Sequence, residues 1–347
     1  MVNVGIAGIG FIGMIHYLAY RKIRGVNVRA MCEKDEKRLS GDWRSIKGNF
    51  GPQGTMMDLT GIARCVELDD LLADPKLDLI DICLPPSLHA EVTVAALRAG
   101  KHVFCEKPIA LNPADAKRMV KAAEKAGRML MVGQVLPFFP EYSFAYKAIT
   151  SGRYGRLLGG HFKRIISDPL WLPDFYNPAV CGGPMIDLHV HDAHFIRVVC
   201  GMPVEVRTVG AMRGEVAERF TTQFLFDDPK LVVSASCGVI NQQGRPFTHG
   251  FEIYLERATL LFDAASIGKD WVVAYPLTVL SSDGQVVRPE LLSADPCDAF
   301  VNEIKEVLRV IRSGKPSALL AGELACDAIV LCEKQTQSLR TGRAVKV

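Results

Sequence analysis

Long hydrophobic runs are missing from this chain of 347 residues. Crossing a bilayer takes roughly 18 consecutive apolar residues, and the longest candidates, LDLIDICLPP and RMLMVGQVL, are strand-sized and interrupted. A transmembrane reading fails. An excess of one charge is also lacking, since Lys plus Arg is 41 against 38 for Asp plus Glu, a net +3. So small an imbalance gives no reason to expect a nucleic acid or an acidic membrane surface, which leaves a small molecule as the expected partner. The 10 cysteines, scattered from Cys32 to Cys332, include no CxxC pair and no dense framework. They read as reduced, mostly buried thiols. No basic leader and no small-residue cleavage site precede the first motif, which disfavours secretion and points to the cytoplasm. What is present is the composition of a folded protein, 49% hydrophobic and 23% charged, in a chain long enough for about two domains of roughly 150 residues.

The first half alternates strand and helix. VNVGIAG is a short β-branched run, Ile12, Ile15, Leu18 and Ile23 recur at helical spacing, and VNVRAMCE (26–33) is a second strand. The polar, Gly-rich stretch 34–61 is too long for an ordinary connection, so it is either a functional loop or an ordered excursion. The alternation then resumes with LDLIDICL, a helix capped by Ser87 and running through Arg98, the strand HVFCEK, a helix from Asn112-Pro113 to Lys125, and RMLMVGQVL. Repeated βα units predict an α/β fold, a doubly wound, mostly parallel Rossmann sheet in residues 1–126. After Gly155 strand-like runs follow one another, with a hairpin turn at Asp283-Gly284 and helices at about 185–199, 298–312 and 323–339. Residues 127–347 are therefore expected to form an α+β domain on an open, largely antiparallel sheet. Apolar faces in KLVVSASCG and WVVAYPLTVL suggest that another subunit covers it, making a homodimer or homotetramer.

Gly8-Ile9-Gly10-Phe11-Ile12-Gly13 is a GxGxxG pattern at the strand-to-helix turn of the first βαβ unit. There glycines allow a tight turn, close approach to a pyrophosphate, and close helix packing, while the helix N-terminus offers N–H groups to the phosphate. NAD is the implied cofactor. Glu33 ends the second strand, where its carboxylate can accept both adenosine ribose hydroxyls and repel a 2′-phosphate. Lys34, Lys37 and Arg38 follow closely, so NADP stays open as the alternative.

Glu106-Lys107-Pro108 lies at the C-terminal end of a predicted parallel strand, the edge where open α/β sheets bind ligands. Lys107 there can donate to a substrate hydroxyl and stabilise a developing alkoxide, and the proline after it is a candidate for a cis bond. The richest titratable cluster is GGPMIDLHVHDAH (182–194). On one helix Asp187, His191 and His194 fall on a single face and His189 on another. A helical histidine with a carboxylate one turn away suits general acid–base chemistry. The same residues could be read as metal ligands, but no second ligand cluster accompanies them and no metal is expected.

With these motifs in hand, the chain resembles the Gfo/Idh/MocA oxidoreductase family over nearly its whole length. AGIGFIG, LPPSLHAE, CEKP, GGPMIDLHVHD and the closing segment SGKPSALLAGELACDAIVLCEKQTQSLRTGRAVKV carry the likeness. It implies a nucleotide-binding domain, a C-terminal domain whose open sheet serves oligomer contacts, and NAD(P)-linked oxidation of a sugar, polyol or sugar derivative. By matching motif, Lys107 would touch the reacting hydroxyl, and Asp187 and His191 would hold substrate and exchange its proton. Leu84, Pro85, Pro86 and His89 would border the cofactor, with Glu106 by the nicotinamide ribose. Segments around Phe138 and Lys163 fall where the family lines its substrate pocket, so Lys163 is a further substrate-binding candidate. His189 and His194 depart from the residues many relatives carry, as does the length of 34–61. A redox-neutral lyase or glycosidase using transient oxidation is the alternative activity. A cofactor sensor without catalysis is a third reading, opposed by the complete set of Lys107, Asp187 and His191.

Overall fold

A computed structural model describes residues 1–48, 50–291 and 295–347. The chain divides into two compact units: Met1–Ala110 with Ala114–Phe139 and Ser293–Cys326, and Leu111–Pro113 with Pro140–Leu292 and Asp327–Val347. Among the described residues no helix is long and apolar enough to cross a membrane.

The first unit contains β1 (Val2–Ala7), α1 (Phe11–Arg21), β2 (Val26–Cys32), α2 (Glu36–Leu39), β3 (Ala63–Cys65), α3 (Leu68–Ala73), β4 (Leu79–Ile82), α4 (Pro86–Arg98), β5 (His102–Glu106), α5 (Pro113–Ala126, from Ala114 on) and β6 (Leu130–Gly133). Its strands pair in the order β3-β2-β1-β4-β5-β6, all parallel. This is the doubly wound Rossmann sheet, with the strand order reversing between β1 and β4. Val4, Ile6, Leu79 and Phe104 are fully buried, as strands covered on both faces require. The unit extends beyond residue 126, because β6 pairs with β5 and because the helix Cys297–Ser313 (α9) packs on α1. Phe300, Ile304, Val307 and Leu308 of α9 share one buried cluster with Met14, Ile15 and Tyr17.

Local details differ from expectation for identifiable reasons. Pro85, not Ser87, precedes the first turn of α4; Pro86 takes the first helical position, where a missing N–H costs nothing. The described residues of segment 34–61 form an ordered excursion. Asp35 accepts from the backbone N–H of Lys37 and Arg38 to start α2, Trp43 is fully buried with its indole N–H on Arg38 O at 2.8 Å, and Phe50 sits 4.8 Å from the Phe11 ring and 5.5 Å from Phe300. The three-residue β3 and the short α3 that follow it are too brief to show a period. Cys32, Cys105, Cys237, Cys326 and Cys332 are buried and the other five cysteines half-buried.

The second unit begins with α6 (Pro140–Thr150) and β7 (Leu157–Ser167), then α7 (Gly183–Asp187) and α8 (His189–Cys200). It continues with β8 (Glu205–Arg213), β9 (Val216–Leu225), β10 (Val232–Ile240), β11 (Phe247–Leu255), β12 (Ala258–Ile267), β13 (Asp270–Ser281) and β14 (Val286–Val287). The helix α10 (Gly322–Thr341), from Asp327 on, and β15 (Val345–Lys346) close it. The nine strands lie in the order β14-β13-β12-β11-β7-β10-β9-β8-β15. All neighbours are antiparallel except β7 and β10, so the sheet is open, mixed and mostly antiparallel. Tyr142, Phe162, Phe195, Phe251 and Phe262 form its buried aromatic centre. The single helix expected at 185–199 is two helices, broken at Leu188.

Candidate active site

The three glycines of the fingerprint turn do not have the same physical basis. Gly8 has φ +97°, and a Cβ there would meet Cys83 O at 2.7 Å; a Cβ on Gly13 would strike the carbonyl of Gly8. Backbone conformation and helix packing therefore demand both. A Cβ on Gly10 would meet nothing within 4 Å among the described residues. The fold has no need of a bare residue at that point, whereas a pyrophosphate passing over the turn does. Gly10 is also the N-cap of α1 and has no side chain to cap the N–H groups there, and no acidic residue occupies the first turn, which suits a phosphate at that end. Phe11 and Ile12 are half-buried in the first turn of α1.

Glu33 lies at the end of β2, but its carboxylate is already engaged. One oxygen accepts from Ile9 N at 2.7 Å, the other from Lys34 N at 2.8 Å and Asp35 N at 3.0 Å. A carboxylate offers about four lone-pair directions, so Glu33 ties the fingerprint turn to the strand end and keeps limited capacity for ribose hydroxyls. Arg38 approaches the same turn, its guanidinium 3.5 Å from Ile9 O.

The loops after β4 and β5 are joined by His89. This fully buried ring sets Nδ1 2.8 Å from Pro108 O and Nε2 2.7 Å from Leu84 O. It holds the two loops together rather than presenting a free edge. Pro85 is exposed, and Leu84 and Pro86 half-exposed. The Lys107–Pro108 bond is cis, and Lys107 is partly exposed while Glu106 is buried. Glu106 Oε2 accepts from Lys107 N at 3.2 Å, and its other oxygen faces His16 Nε2 at 3.1 Å. His16, with Asp81 and Glu303 nearby, escaped the sequence reading. An Asp in the middle of the apolar strand LDLIDICL was the available signal, because a buried carboxylate needs a partner.

In the second unit, exposure sorts the residues of 182–194. His189, Asp192 and His194 are buried, whereas Asp187 and His191 remain partly open. Asp192 is committed to Arg164, whose guanidinium meets it at 2.7 and 3.0 Å in a buried two-pronged pair. Burial pushes His189 down to about 4, so this ring is a neutral core histidine, edge-on to Phe220. The break at Leu188 separates Asp187 and His191 onto successive helices, with His191 N donating to Leu188 O at 3.3 Å. Lys163 projects from β7 and pairs with Asp263 Oδ2 at 2.7 Å, a partner 100 residues away that no local spacing announces.

Known proteins resemble the chain throughout. A family model described as "Oxidoreductase family, NAD-binding Rossmann fold" matches residues 2–134, and the GFO/IDH/MocA C-terminal domain matches 142–261. Myo-inositol 2-dehydrogenase of Thermotoga maritima is 28% identical over 100% of this chain and 98% of its own length. The 1,5-anhydro-D-fructose reductase of Ensifer adhaerens is 29% identical over 83% of this chain and 85% of its own. A crystal structure of a probable dehydrogenase from Thermotoga maritima superposes with a TM-score of 0.78 at 22% identity, covering 99% of this chain and 98% of that one, which speaks to the fold alone.

Proposed function

This chain belongs to the Gfo/Idh/MocA oxidoreductase family, and on that premise we propose that it is an NAD-dependent dehydrogenase acting on a carbinol carbon of a sugar, polyol or sugar derivative. Gly10 carries the reading, a glycine that packing does not require at the mouth of an uncapped helix. Gly8, Gly10, Phe11, Ile12 and Gly13 would hold the dinucleotide's phosphates, Glu33 its adenosine ribose, Leu84, Pro85 and Pro86 its flank, with His89 fixing that edge, and Glu106 its nicotinamide ribose. Bound NAD supplies the acceptor for the carbinol hydrogen and its electron pair.

The chain's own part is to bind the alcohol and move one proton. His191 takes the hydroxyl proton, because imidazole titrates near neutrality and this ring keeps exposed surface. Asp187, the other open carboxylate-bearing position of the block, orients the substrate hydroxyls. Lys107 donates to the oxygen as it gains charge, an interaction strongest in the transition state. Lys163, paired with Asp263, is a further substrate contact. The family resemblance to myo-inositol and anhydrofructose enzymes supports a polyhydroxylated substrate. A cytoplasmic homodimer or homotetramer completes the reading.

The test is a panel of inositols, anhydrosugars, aldoses and uronic acids with NAD and with NADP, followed by NADH absorbance in both directions. Stoichiometric NADH with at least one polyol is expected. No absorbance change with any of them would overturn the dehydrogenase, and release of an aglycone without net NADH would replace it by a redox-neutral reaction.

A further inference from the structure

Four ionisable side chains meet in the interior of the first unit: His16 on α1, Asp81 on β4, Glu106 on β5 and Glu303 on α9. All are buried, His16, Asp81 and Glu303 completely and Glu106 with 6% exposure. His16 Nδ1 lies 2.9 Å from Asp81 Oδ2, and Nε2 lies 3.1 Å from Glu106 Oε1. Ionised carboxylates only accept, and a neutral imidazole has one N–H. A bare ring nitrogen facing a carboxylate oxygen at such a distance sets two lone pairs against each other where no water screens them. A ring protonated on both nitrogens suits these distances, Nδ1 hydrogen-bonded to Asp81 and Nε2 set against Glu106 as an ion-pair contact without hydrogen-bond geometry.

The remaining surroundings agree. Phe104 stacks on the ring at 5.2 Å and Phe300 lies at 5.9 Å, so its faces are apolar. Cys83 Sγ stands 3.5 Å from Nδ1; Tyr20, its phenol raised by burial and by Asp81, and Cys105, its thiol raised by burial and by Glu106, Cys83 and Asp81, are further titratable groups nearby. Burial opposes the charge on His16, but Asp81 and Cys83 together lift its pKa well above the ordinary value. Glu303 has neither carboxylate oxygen in a hydrogen bond among the described residues, and burial with the charge of Glu106 raises it well above the carboxylate range. That direction favours the neutral acid at position 303 and leaves His16 facing Asp81 and Glu106.

We infer that His16 is a positioning residue, which by bridging Asp81 and Glu106 through its two ring nitrogens fixes the carboxylate of Glu106 for the nicotinamide ribose. The role rests on the reading of Glu106 given above. Glu106 is also held by its Oε2, which accepts from the backbone N–H of Lys107, and its Oε1 lies against Gly133, where a Cβ would collide with it. Without the ring, the carboxylate would lose the cation set 3.1 Å from its Oε1 and turn away from its place beside Lys107.

The experiment compares NADH dissociation constants of the wild type, His16→Gln, Glu106→Gln and the double variant by fluorescence titration, with pH profiles and metal analysis. Glutamine at 16 can donate one hydrogen bond but carries no charge. Each single change is expected to weaken NADH roughly tenfold, in line with loss of a charged hydrogen bond, and the double variant no more than Glu106→Gln alone, since His16 acts through Glu106. Affinity of the wild type falls as pH rises through the histidine's raised pKa, and that slope is missing in His16→Gln. Full affinity in His16→Gln beside an impaired Glu106→Gln overturns the inference and leaves the reading of Glu106 standing. Full affinity in Glu106→Gln overturns both. Additive losses, or a stoichiometric metal whose removal by chelator abolishes NADH binding, would overturn the positioning role. Should His16→Gln not fold, nitrogen-15 histidine spectra of the wild type, with the His16 ring told apart from that of His89 by the signal that a His89→Gln control loses, decide: the His16 ring must stay doubly protonated well above the usual value of about 6.5, and a neutral His16 ring refutes the inference.

Discussion

His191 and Asp187 are close in sequence but have different work, and kinetics can separate them. His191→Ala is expected to lower kcat by about 10²–10⁴ while NAD binding stays within a few-fold, because a proton acceptor acts on the chemical step. Asp187→Asn should lose less in kcat and more in KM for the alcohol. Lys107→Met should lower kcat as well, since its charge matters most as the alkoxide develops. Steady-state kinetics with a turned-over polyol, alongside a separate NAD titration, checks all three. Unchanged kcat in His191→Ala would move the proton acceptor elsewhere. Glu33 asks a different question, for its carboxylate ties down Ile9, Lys34 and Asp35. Glu33→Ala is therefore expected to weaken both nucleotides and to narrow the preference for NAD over NADP, with a lower melting temperature from the three released donors.

At the scale of elements, the fingerprint turn makes a prediction that distinguishes folding from binding. Gly13→Ala forces a Cβ onto Gly8 O, and Gly8→Ala asks an L-residue to hold φ +97°. Both should cost stability, on the order of 1–3 kcal/mol for the strained position, visible as a lower melting temperature. Gly10→Ala meets nothing within 4 Å among the described residues, so its melting temperature should match the wild type while NAD affinity falls by tenfold or more. Retained NAD affinity in Gly10→Ala would show that the dinucleotide does not cross this turn. The excursion 34–61 belongs to the same argument, because Phe50 lies between Phe11 and Phe300 and so braces the first turn of α1.

For the molecule as a whole, buried histidines contribute pH dependences of both signs, and His89 and His102 of the first unit are lowered like those of the second. Burial holds His189 down to about 4 and His249 to about 3, the latter with help from Arg164 and Lys163. Unfolded, both would titrate near 6.5. Between those values the unfolded chain binds more protons than the folded one, so stability is full above about 6.5 and falls as pH drops toward 4. His16 has the reverse sign: its raised folded value adds stability below the ordinary histidine range, lost as pH rises through the folded pKa. Melting temperature against pH should form a dome, with His189→Phe and His249→Phe flattening the acid side and leaving the alkaline side. A second whole-molecule prediction concerns assembly. Trp271 is 53% and Tyr275 61% exposed on β13, more apolar surface than a lone open sheet edge should show. Light scattering is expected to give a dimer or tetramer that Trp271→Lys or Tyr275→Glu weakens; a monomer at micromolar concentration would refute it.

Much of this was legible in the chain. Apolar runs of strand length separated by capped helical periods specify a doubly wound sheet, since strands buried on both faces and helices buried on one leave few other ways to hide apolar surface. The fingerprint turn, CEKP and the titratable block were recognisable because each is local, a few residues whose chemistry depends on immediate spacing. Tertiary structure decided what depends on distant partners. It put β6 and residues 293–326 with the first unit, through pairing and helix packing that no local period reports. It gave Lys163 to Asp263 and Asp192 to Arg164, each pair of residues far apart in the chain. It buried His189 and His194 while leaving Asp187 and His191 open, and it gathered His16, Asp81, Glu106 and Glu303 from four separate elements. Sequence spacing determines which face a side chain occupies; burial and charge pairing, which set its protonation and its use, come only from what the rest of the chain packs against it.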